Sequence, residues 1–224
     1  MRNYIKKLMN GEGYQLLDKH INLISNYEGC AEWNWGKQYN QKLSNKNKPF
    51  FKGIFDNLSN KFDYKEYIRK ISNERNFMEI ENAITLTKGI KFMDCLKLML
   101  ITETYLGFLA EELVVELIKE SGGKTKQSLY LDTKKKTDIL MDNNIYLQLK
   151  NISFLDGVNG ENRIFEYLKH NDKLCFLFYQ ISKENIIELV GIDGKAYIPL
   201  VELDGFSIHN SKALTIKEFK QKIR

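Results

Sequence analysis

The chain has 224 residues, of which 43% are hydrophobic and 28% are charged, and this composition excludes a disordered or collagen-like protein. The 34 Lys and Arg outnumber the 29 Asp and Glu, and the excess lies in the first 100 residues, where 17 basic residues stand against 11 acidic ones. No apolar run is long enough to span a bilayer and the three cysteines form no CxxC pair, so we expect a cytoplasmic protein without a membrane partner, a disulfide framework or a zinc knuckle.

Residues 1–90 are predicted to form a mainly helical region. Apolar residues recur at helical spacing in Tyr14–Leu23 and again in Tyr64–Ile71. The segment Trp33–Lys52 lies between them and combines two tryptophans, a proline and several Asn and Lys residues. We interpret this irregular composition as a long loop that contains short helices.

Residues 91–224 are predicted to form an α/β core with a C-terminal extension. A helical pattern over Phe92–Ser121 ends at a Gly-Gly pair, which is typical of a helix C-terminus. We then predict three short strands over Thr125–Leu131, Thr137–Met141 and Ile145–Asn151, followed by a helix over Glu161–Lys169 and a buried strand over Leu174–Ile181. A hairpin around Asp193-Gly194 is predicted to join the strands Ile186–Ile192 and Lys195–Val201, and a last helix is predicted over Thr215–Ile223.

One carboxylate falls on the apolar side of the long predicted helix. On a helical wheel Glu111 lies between Val115 and Ile118, whereas Glu112 and Glu116 lie on the polar side. A carboxylate on an apolar face is destabilising unless it is paired or bound to a metal. Glu111 is therefore either a functional acid or a residue at the edge of the packed face that reaches solvent.

Polar residues also share one face of the predicted strands. Gln148 and Lys150 alternate with leucines, so their side chains point to the same side of the strand. Asp138, on the neighbouring antiparallel strand, can lie beside them. Taken alone, this group is more typical of an edge hairpin with one solvated face.

A helix with Glu111, a strand with Asp138 and a strand with Gln148-x-Lys150, followed by a helix and a strand, resembles the PD-(D/E)xK nuclease superfamily over about Tyr105–Ile181. The resemblance implies a restriction-endonuclease-like core, in which a mixed central sheet is flanked by helices, and catalytic roles for these four residues. The chain departs from the usual motif at two positions, since Thr precedes Asp138 where proline is common and Gln148 replaces an acid. Some type II restriction endonucleases use such a Gln-x-Lys variant.

Phosphodiester hydrolysis requires neutralisation of the phosphoryl charge and an activated water molecule. Mg²⁺ prefers hard oxygen ligands and is the expected cofactor, with Mn²⁺ as a substitute. Asp138 would be its principal ligand and Glu111 a second, while the Gln148 side chain and the backbone carbonyl of Leu149 would offer neutral oxygens. Lys150 would orient or help to deprotonate the water and would stabilise the phosphoryl charge. The resemblance implies products with 5′-phosphate and 3′-hydroxyl ends.

Two groups of residues are candidates for DNA contacts. Trp33–Arg75 carries ten basic residues against four acidic ones and is interleaved with aromatic residues, most of which we expect in a small helical core. Contacts to bases and phosphates are assigned to one part of this segment, namely Trp33, Asn34, Trp35, Lys37 and Gln38. The second group either steers the DNA backbone or is a solvated loop; it consists of Lys134, Lys135 and Lys136.

The sequence thus predicts a magnesium-dependent, sequence-specific endonuclease of double-stranded DNA, a type II restriction enzyme. A palindromic target would require a homodimer, and the resemblance implies a cognate DNA methyltransferase that acts as a functional partner without stable binding. Three alternatives stay open: a structure- or modification-directed nuclease of the same fold, a catalytically silent DNA-binding protein, and an α/β protein in which the constellation is accidental.

Overall fold

The computed structural model describes residues 1–27, 29–142, 144–155, 160–171, 174–190 and 196–197 of the chain. These residues divide into two compact units: a helical unit, Asn3–Leu109, and a sheet unit that contains Met1–Arg2 and the chain from Ala110 onward. The division falls inside the helix Ile90–Glu120, whereas the domain boundary predicted after residue 90 lies at the start of that helix.

The first part of the chain is mainly helical, as the sequence predicts. Its helices, numbered α1 to α6 in chain order, are Arg2–Leu8, Gly11–Asn26, Ala31–Asp56, Tyr64–Ser72, Arg75–Lys88 and Ile90–Glu120, the last of which continues into the sheet unit. Asn10 before α2 and Asp63 before α4 accept hydrogen bonds from N–H groups of the first helical turn. Helices α2 and α4 contain the predicted helices Tyr14–Leu23 and Tyr64–Ile71.

Helix α3 replaces the long irregular loop predicted at Trp33–Lys52. It is a single α-helix of 26 residues, and its buried side contains Trp33, Gly36, Asn40 and Phe51. These residues have the spacing of one helix face. The loop prediction is wrong because Gly36 and Asn40, in the middle of this buried side, are not apolar and so hide its periodicity.

An aromatic core holds the helical unit together. The rings of Phe55 and Tyr67, which are both fully buried, have their centroids 6.1 Å apart, and the rings of Tyr64 and Tyr105 are 4.7 Å apart. The Tyr64 hydroxyl pairs with the hydroxyl of Thr102 at 2.8 Å, which satisfies the polar end of the buried ring. The expected packing of most aromatics in a helical core is therefore confirmed.

Glycine allows α3 to lie close to α6 within the helical unit. A β-carbon at Gly36 would lie 3.3 Å from Cys95 Sγ and 3.3 Å from Met99 Sδ, which is tighter than ordinary van der Waals contact. Burial raises the pKa of the Cys95 thiol to about 11. Cys30 directly precedes α3 and is exposed.

The sheet unit is a mixed α/β arrangement on one six-stranded sheet. Its elements after α6 are β1 (Thr125–Lys126), α7 (Leu129–Lys135), β2 (Ile139–Met141), β3 (Tyr146–Asn151), a 3₁₀ turn (Ile152–Leu155), α8 (Gly160–His170), β4 (Leu174–Ser182), β5 (Ile186–Val190) and β6 (Ala196–Tyr197). The strands neighbour one another in sequence order. Strands β3 and β4 are parallel, and the other neighbouring pairs are antiparallel.

Helix α8 is the crossover that makes β3 and β4 parallel. Its buried Ile164 packs against Leu174, Phe176 and Phe178 of β4. Partly buried side chains that pack against this cluster are Tyr146, Ile152, Phe154, Tyr167 and Leu168. The α8 side of the sheet is therefore rich in aromatic residues.

The predicted α/β protein with a helical N-terminal region is confirmed, and β2 to β5, α6 and α8 lie close to their predicted bounds. The predicted strand Thr125–Leu131 is wrong beyond Lys126, because the Ser128 side chain accepts from the N–H of Leu131 and starts α7 instead. Strands β5 and β6 pair as a hairpin would, but the turn predicted between them and the helix predicted at Thr215–Ile223 lie outside the described residues. Over the described ranges, no helix is long and apolar enough to cross a membrane.

A buried polar pair joins α3 to α6 in the helical unit. Asn40, which is 3% exposed, donates from Nδ2 to the carboxylate of Glu103. Burial raises the pKa of the Glu103 carboxyl to about 6, against smaller opposite effects of the Lys37 charge and of the hydrogen bond from Asn40. Burial therefore favours the neutral carboxyl more strongly than these two neighbours favour the charged one.

We predict that Glu103→Gln removes a pH dependence of stability. A carboxyl whose pKa is raised by folding makes the wild type gain stability as the pH falls through about 6 towards 4.5. The neutral variant should be more stable than wild type by about 2 kcal/mol at pH 7, and most of this difference should vanish near pH 4.5. Urea unfolding at both pH values measures the effect, with the exposed Glu79→Gln as control. A variant with the wild-type pH dependence would contradict the prediction.

Candidate active site

Asp138 lies directly before β2, opposite the strand that carries the polar motif. Its backbone N–H donates to the carbonyl of Leu147 at 2.9 Å. Ile139 pairs with Leu147 in the antiparallel register of β2 and β3, and this pair is the last one of the ladder on the Asp138 side. Asp138 lies just beyond it, where its side chain contacts the Gln148 side chain.

One carboxylate oxygen of Asp138 accepts two hydrogen bonds from β3. The amide Nε2 of Gln148 donates to Asp138 Oδ2 at 2.5 Å, and the backbone N–H of Leu149 donates to the same oxygen at 2.7 Å. Two donors on one oxygen fix the orientation of the carboxylate group. The Gln148 side chain is only 2% exposed, and its Oε1 has no hydrogen-bond partner among the described residues. An acceptor buried in this way is suited to a cation or a water molecule.

Lys150 places an ammonium group on the same side of β3. It pairs with Phe178 in the parallel register of β3 and β4, so its side chain points to the face that α8 covers. Its Nζ lies 4.7 Å from the ring centroid of Tyr167 on α8 and 5.8 Å from that of Phe154. Both distances are typical of cation–π contacts.

The charges around Lys150 keep it protonated. Burial lowers the pKa of the ammonium group, but the negative charge of Asp138, the Tyr167 hydroxyl and the charge of Glu111 together raise the pKa above its ordinary value. Lys150 therefore carries a positive charge beside these acids at neutral pH.

Glu111 and Tyr179 belong to the same electrostatic group. Glu111 is half-buried on α6, among apolar residues of the helix that are buried. Burial raises the pKa of the Tyr179 hydroxyl on β4, and the charges of Glu111 and Asp138 raise it further. Neither Tyr167 nor Tyr179 is predicted as a site residue from the sequence, where the signal for Tyr179 is limited to the aromatic composition of its strand.

Oxygen atoms of three side chains could hold a hard divalent cation: the carboxylates of Glu111 and Asp138, and Oε1 of Gln148. Within the part of the chain that the structure describes, no group of three or more Asp, Glu, His or Cys residues is arranged to hold a metal ion. Mg²⁺ usually binds through one or two protein carboxylates and keeps several waters, so the set fits Mg²⁺ better than a cation that needs a protein cage. The Leu149 carbonyl, predicted as a further ligand, lies between Gln148 and Lys150 in β3.

The residues predicted to contact DNA differ in exposure. Trp33 is 3% exposed and stacks on Tyr27 with 5.3 Å between ring centroids, so its indole ring is part of the packing, and its predicted contact with DNA stays a prediction. The other candidates near it are exposed on α3: Asn34, Trp35, Lys37 and Gln38. Lys134 and Lys135 are exposed in the last turn of α7, and Lys136 caps that helix in the left-handed conformation, with φ of 50°.

In comparisons with known proteins, no protein-family model, curated protein or solved structure matches the chain. The interpretation of the site therefore depends on the geometry and chemistry of its own residues.

We predict that Tyr167→Phe lowers the pKa of Lys150. The variant keeps the aromatic ring over which Nζ lies but removes the hydroxyl, which helps to raise the pKa of the ammonium group. NMR titration of protein with ¹³C-labelled lysine side chains measures this pKa. Tyr130→Phe on α7, where the ring is 63% exposed, is the control and should leave Lys150 unchanged. An unchanged or higher pKa in Tyr167→Phe would show that the hydroxyl is not a partner of Lys150.

Proposed function

We propose that the protein is a magnesium-dependent, sequence-specific endonuclease of double-stranded DNA, with an active site formed by Glu111, Asp138, Gln148 and Lys150. The observation that carries this proposal is the contact between Gln148 and Asp138. The amide of the Gln-x-Lys motif holds the acid of the neighbouring strand, and its own oxygen stays buried and available as a ligand.

The order of elements supports a restriction-endonuclease-like core. The resemblance implies a helix with the first acid, strands with the second acid and the lysine, and then a helix and a strand. This order corresponds to α6, β1 to β3, α8 and β4, with α8 as the crossover between parallel strands. Asp138 then lies directly before β2 and Lys150 lies on the neighbouring β3, where one phosphate group could contact both.

The donor set supports Mg²⁺, with Mn²⁺ as a substitute. Asp138 and Glu111 would supply the carboxylates, and Gln148 Oε1 and the Leu149 carbonyl would supply neutral oxygens. A bound cation of this kind neutralises phosphoryl charge and lowers the pKa of a water molecule. The two hydrogen bonds from β3 hold the Asp138 carboxylate in place before any cation binds, which reduces the reorganisation that binding needs.

Lys150 acts as a fixed cation in this proposal. As an ammonium group it would donate hydrogen bonds to the attacking water and to a phosphoryl oxygen, and so would orient the water and stabilise the phosphoryl charge. The contacts with the rings of Tyr167 and Phe154 hold the side chain near the acids.

The remaining parts of the proposal follow from the type II restriction class. A homodimer would bring one active site to each strand of a palindromic target. Products with 5′-phosphate and 3′-hydroxyl ends, and a cognate DNA methyltransferase that protects the host sequence, are what the resemblance implies.

We predict that Asp138→Asn reduces cleavage of unmodified plasmid DNA in Mg²⁺ by about 100-fold or more, because the variant lacks the charge that holds a cation. It should fold normally, since the Asn oxygen can accept the same two hydrogen bonds. Asp142→Asn, at an exposed position just after β2, is the matched control and should cleave like wild type.

Lys150→Ala should also lose cleavage while it keeps DNA affinity, which comes from many phosphate contacts.

Fragment patterns with Mg²⁺ and with EDTA check these outcomes. Full activity of Asp138→Asn, or its loss in Asp142→Asn instead, would contradict the proposed site. Cleavage limited to branched or methylated DNA would favour a structure- or modification-directed nuclease, and binding without cleavage a silent DNA-binding protein.

We predict that Gln148→Glu makes the stability of the protein depend on Mg²⁺. The wild-type amide donates to Asp138, whereas a second carboxylate would repel that acid unless a cation lies between them. The variant should therefore have a lower Tm than wild type in EDTA, recover in Mg²⁺, and retain cleavage. Thermal unfolding with and without Mg²⁺ measures this, with the exposed Gln127→Glu as control. Equal Mg²⁺ responses in the three proteins would argue against a ligand position at Gln148.

A further inference from the structure

Helix α3 presents a row of amide side chains to solvent. Asn34, Gln38, Gln41 and Asn45 are exposed and are separated by four, three and four residues. This spacing places them along one line on the surface of an α-helix. The row, which we call the amide stripe, lies on the opposite side of α3 from the buried Gly36.

Lysines border the amide stripe on both sides. By helical spacing, Lys37 and Lys48 lie along one edge and Lys42 and Lys46 along the other, and all of them are exposed. No acidic residue occurs in α3 between Glu32 and Asp56, so this face of the helix is uniformly positive. Lys88 of α5 adds a further cation, with Nζ 5.4 Å from the ring of Trp35, which is 56% exposed beside the stripe.

We propose that this face of α3 enters the major groove of double-stranded DNA, where the amide stripe reads base edges with a preference for adenine and the lysines contact phosphates. The inference rests on the proposed function for its substrate and names the surface that selects the target sequence. Asn and Gln can make paired hydrogen bonds to N6 and N7 of adenine, which is exposed in that groove. Lysine gains affinity from phosphates by releasing counterions.

The dimensions of the helix agree with this position. From Asn34 to Asn45 the stripe extends over about 16 Å at 1.5 Å per residue. That length corresponds to about five base pairs, and the major groove of B-form DNA, about 12 Å wide, admits one α-helix. Pro49 follows the stripe and cannot donate to the carbonyl of Asn45, which makes this a position where helices bend.

The major groove of B-form DNA is the partner that this chemistry favours over RNA. Double-helical RNA has a deep, narrow major groove that side chains do not read, so a straight helix with short amide side chains would not reach its base edges. Single strands are bound mainly by successive bases that stack on aromatic side chains. The amide stripe contains no aromatic residue, and Trp35 beside it offers one exposed ring for such stacking.

The test is a selection from a pool of double-stranded oligonucleotides with a randomised core, carried out in EDTA so that nothing is cleaved. Wild type should enrich a short motif that contains adenines. The double variant Gln41→Ala/Asn45→Ala should bind the enriched duplex about tenfold or more weakly, and its own selection should lose adenines at some positions. The matched control is Asn76→Ala/Asn82→Ala, which removes two exposed amides from α5 and should select the wild-type motif.

A second double variant separates phosphate contacts from base contacts. Lys42→Gln/Lys46→Gln should weaken binding to every duplex by a similar factor and leave the selected motif unchanged. It should also reduce the slope of log affinity against log salt by roughly 1 for each lysine. Circular dichroism confirms that each variant is folded.

Four results would overturn the inference: no enriched motif, a motif without adenine, an unchanged motif in Gln41→Ala/Asn45→Ala, or tighter binding to single-stranded DNA or double-stranded RNA. The result of the selection experiment can be distinguished from the result of the cleavage experiment that tests the proposed function. Adenine selection by the amide stripe without cleavage in Mg²⁺ would leave this inference standing and remove the nuclease. Cleavage in Mg²⁺ at the same sequence by wild type and by Gln41→Ala/Asn45→Ala would support the nuclease and remove the proposed role of the amide stripe.

Discussion

The register of β2 against β3 is the constraint on which the candidate active site depends. Because side chains alternate along a strand, a slip of one residue from the pairing of Ile139 with Leu147 would move Gln148 and Lys150 to the other face of the sheet relative to Asp138. The hydrogen bonds that Gln148 and Leu149 donate to Asp138 lie at the end of this ladder. The residues that would do chemistry therefore also stabilise the register that brings them together.

The charges of the site residues are a second constraint on the candidate active site. Glu111 and Asp138 are like charges that raise the pKa of Lys150 and of the Tyr179 hydroxyl, so both neighbours are held in their protonated forms. One ammonium group stands against these two carboxylates, so the three groups together carry a net negative charge. In the proposed function, a divalent cation would offset this charge before a phosphate approaches.

Local patterns in the sequence were enough to predict the elements that build the site. Alternation of polar and apolar residues showed β3, and the helical wheel showed Glu111 on the apolar side of α6. The prediction failed where the deciding contact is not visible in the apolar pattern. The buried side of α3 runs through Gly36 and Asn40, and α7 depends on the cap that Ser128 supplies. Tyr167 and Tyr179 could not be assigned because their positions depend on the parallel register of β3 and β4 across a crossover, which is a non-local contact.

The close approach of α3 and α6 at Gly36 has a practical consequence for chemical labelling. Cys95 lies under α3 with its thiol pKa raised to about 11, so at neutral pH it is almost entirely in the unreactive thiol form. Cys30 stands exposed at the start of the same helix, four residues before Asn34. A thiol-reactive dye should therefore attach at Cys30 in preference to Cys95, at the end of the exposed face of α3 and away from the buried one. In a variant without the half-buried Cys175, the fluorescence of that dye would report directly on what approaches this helix.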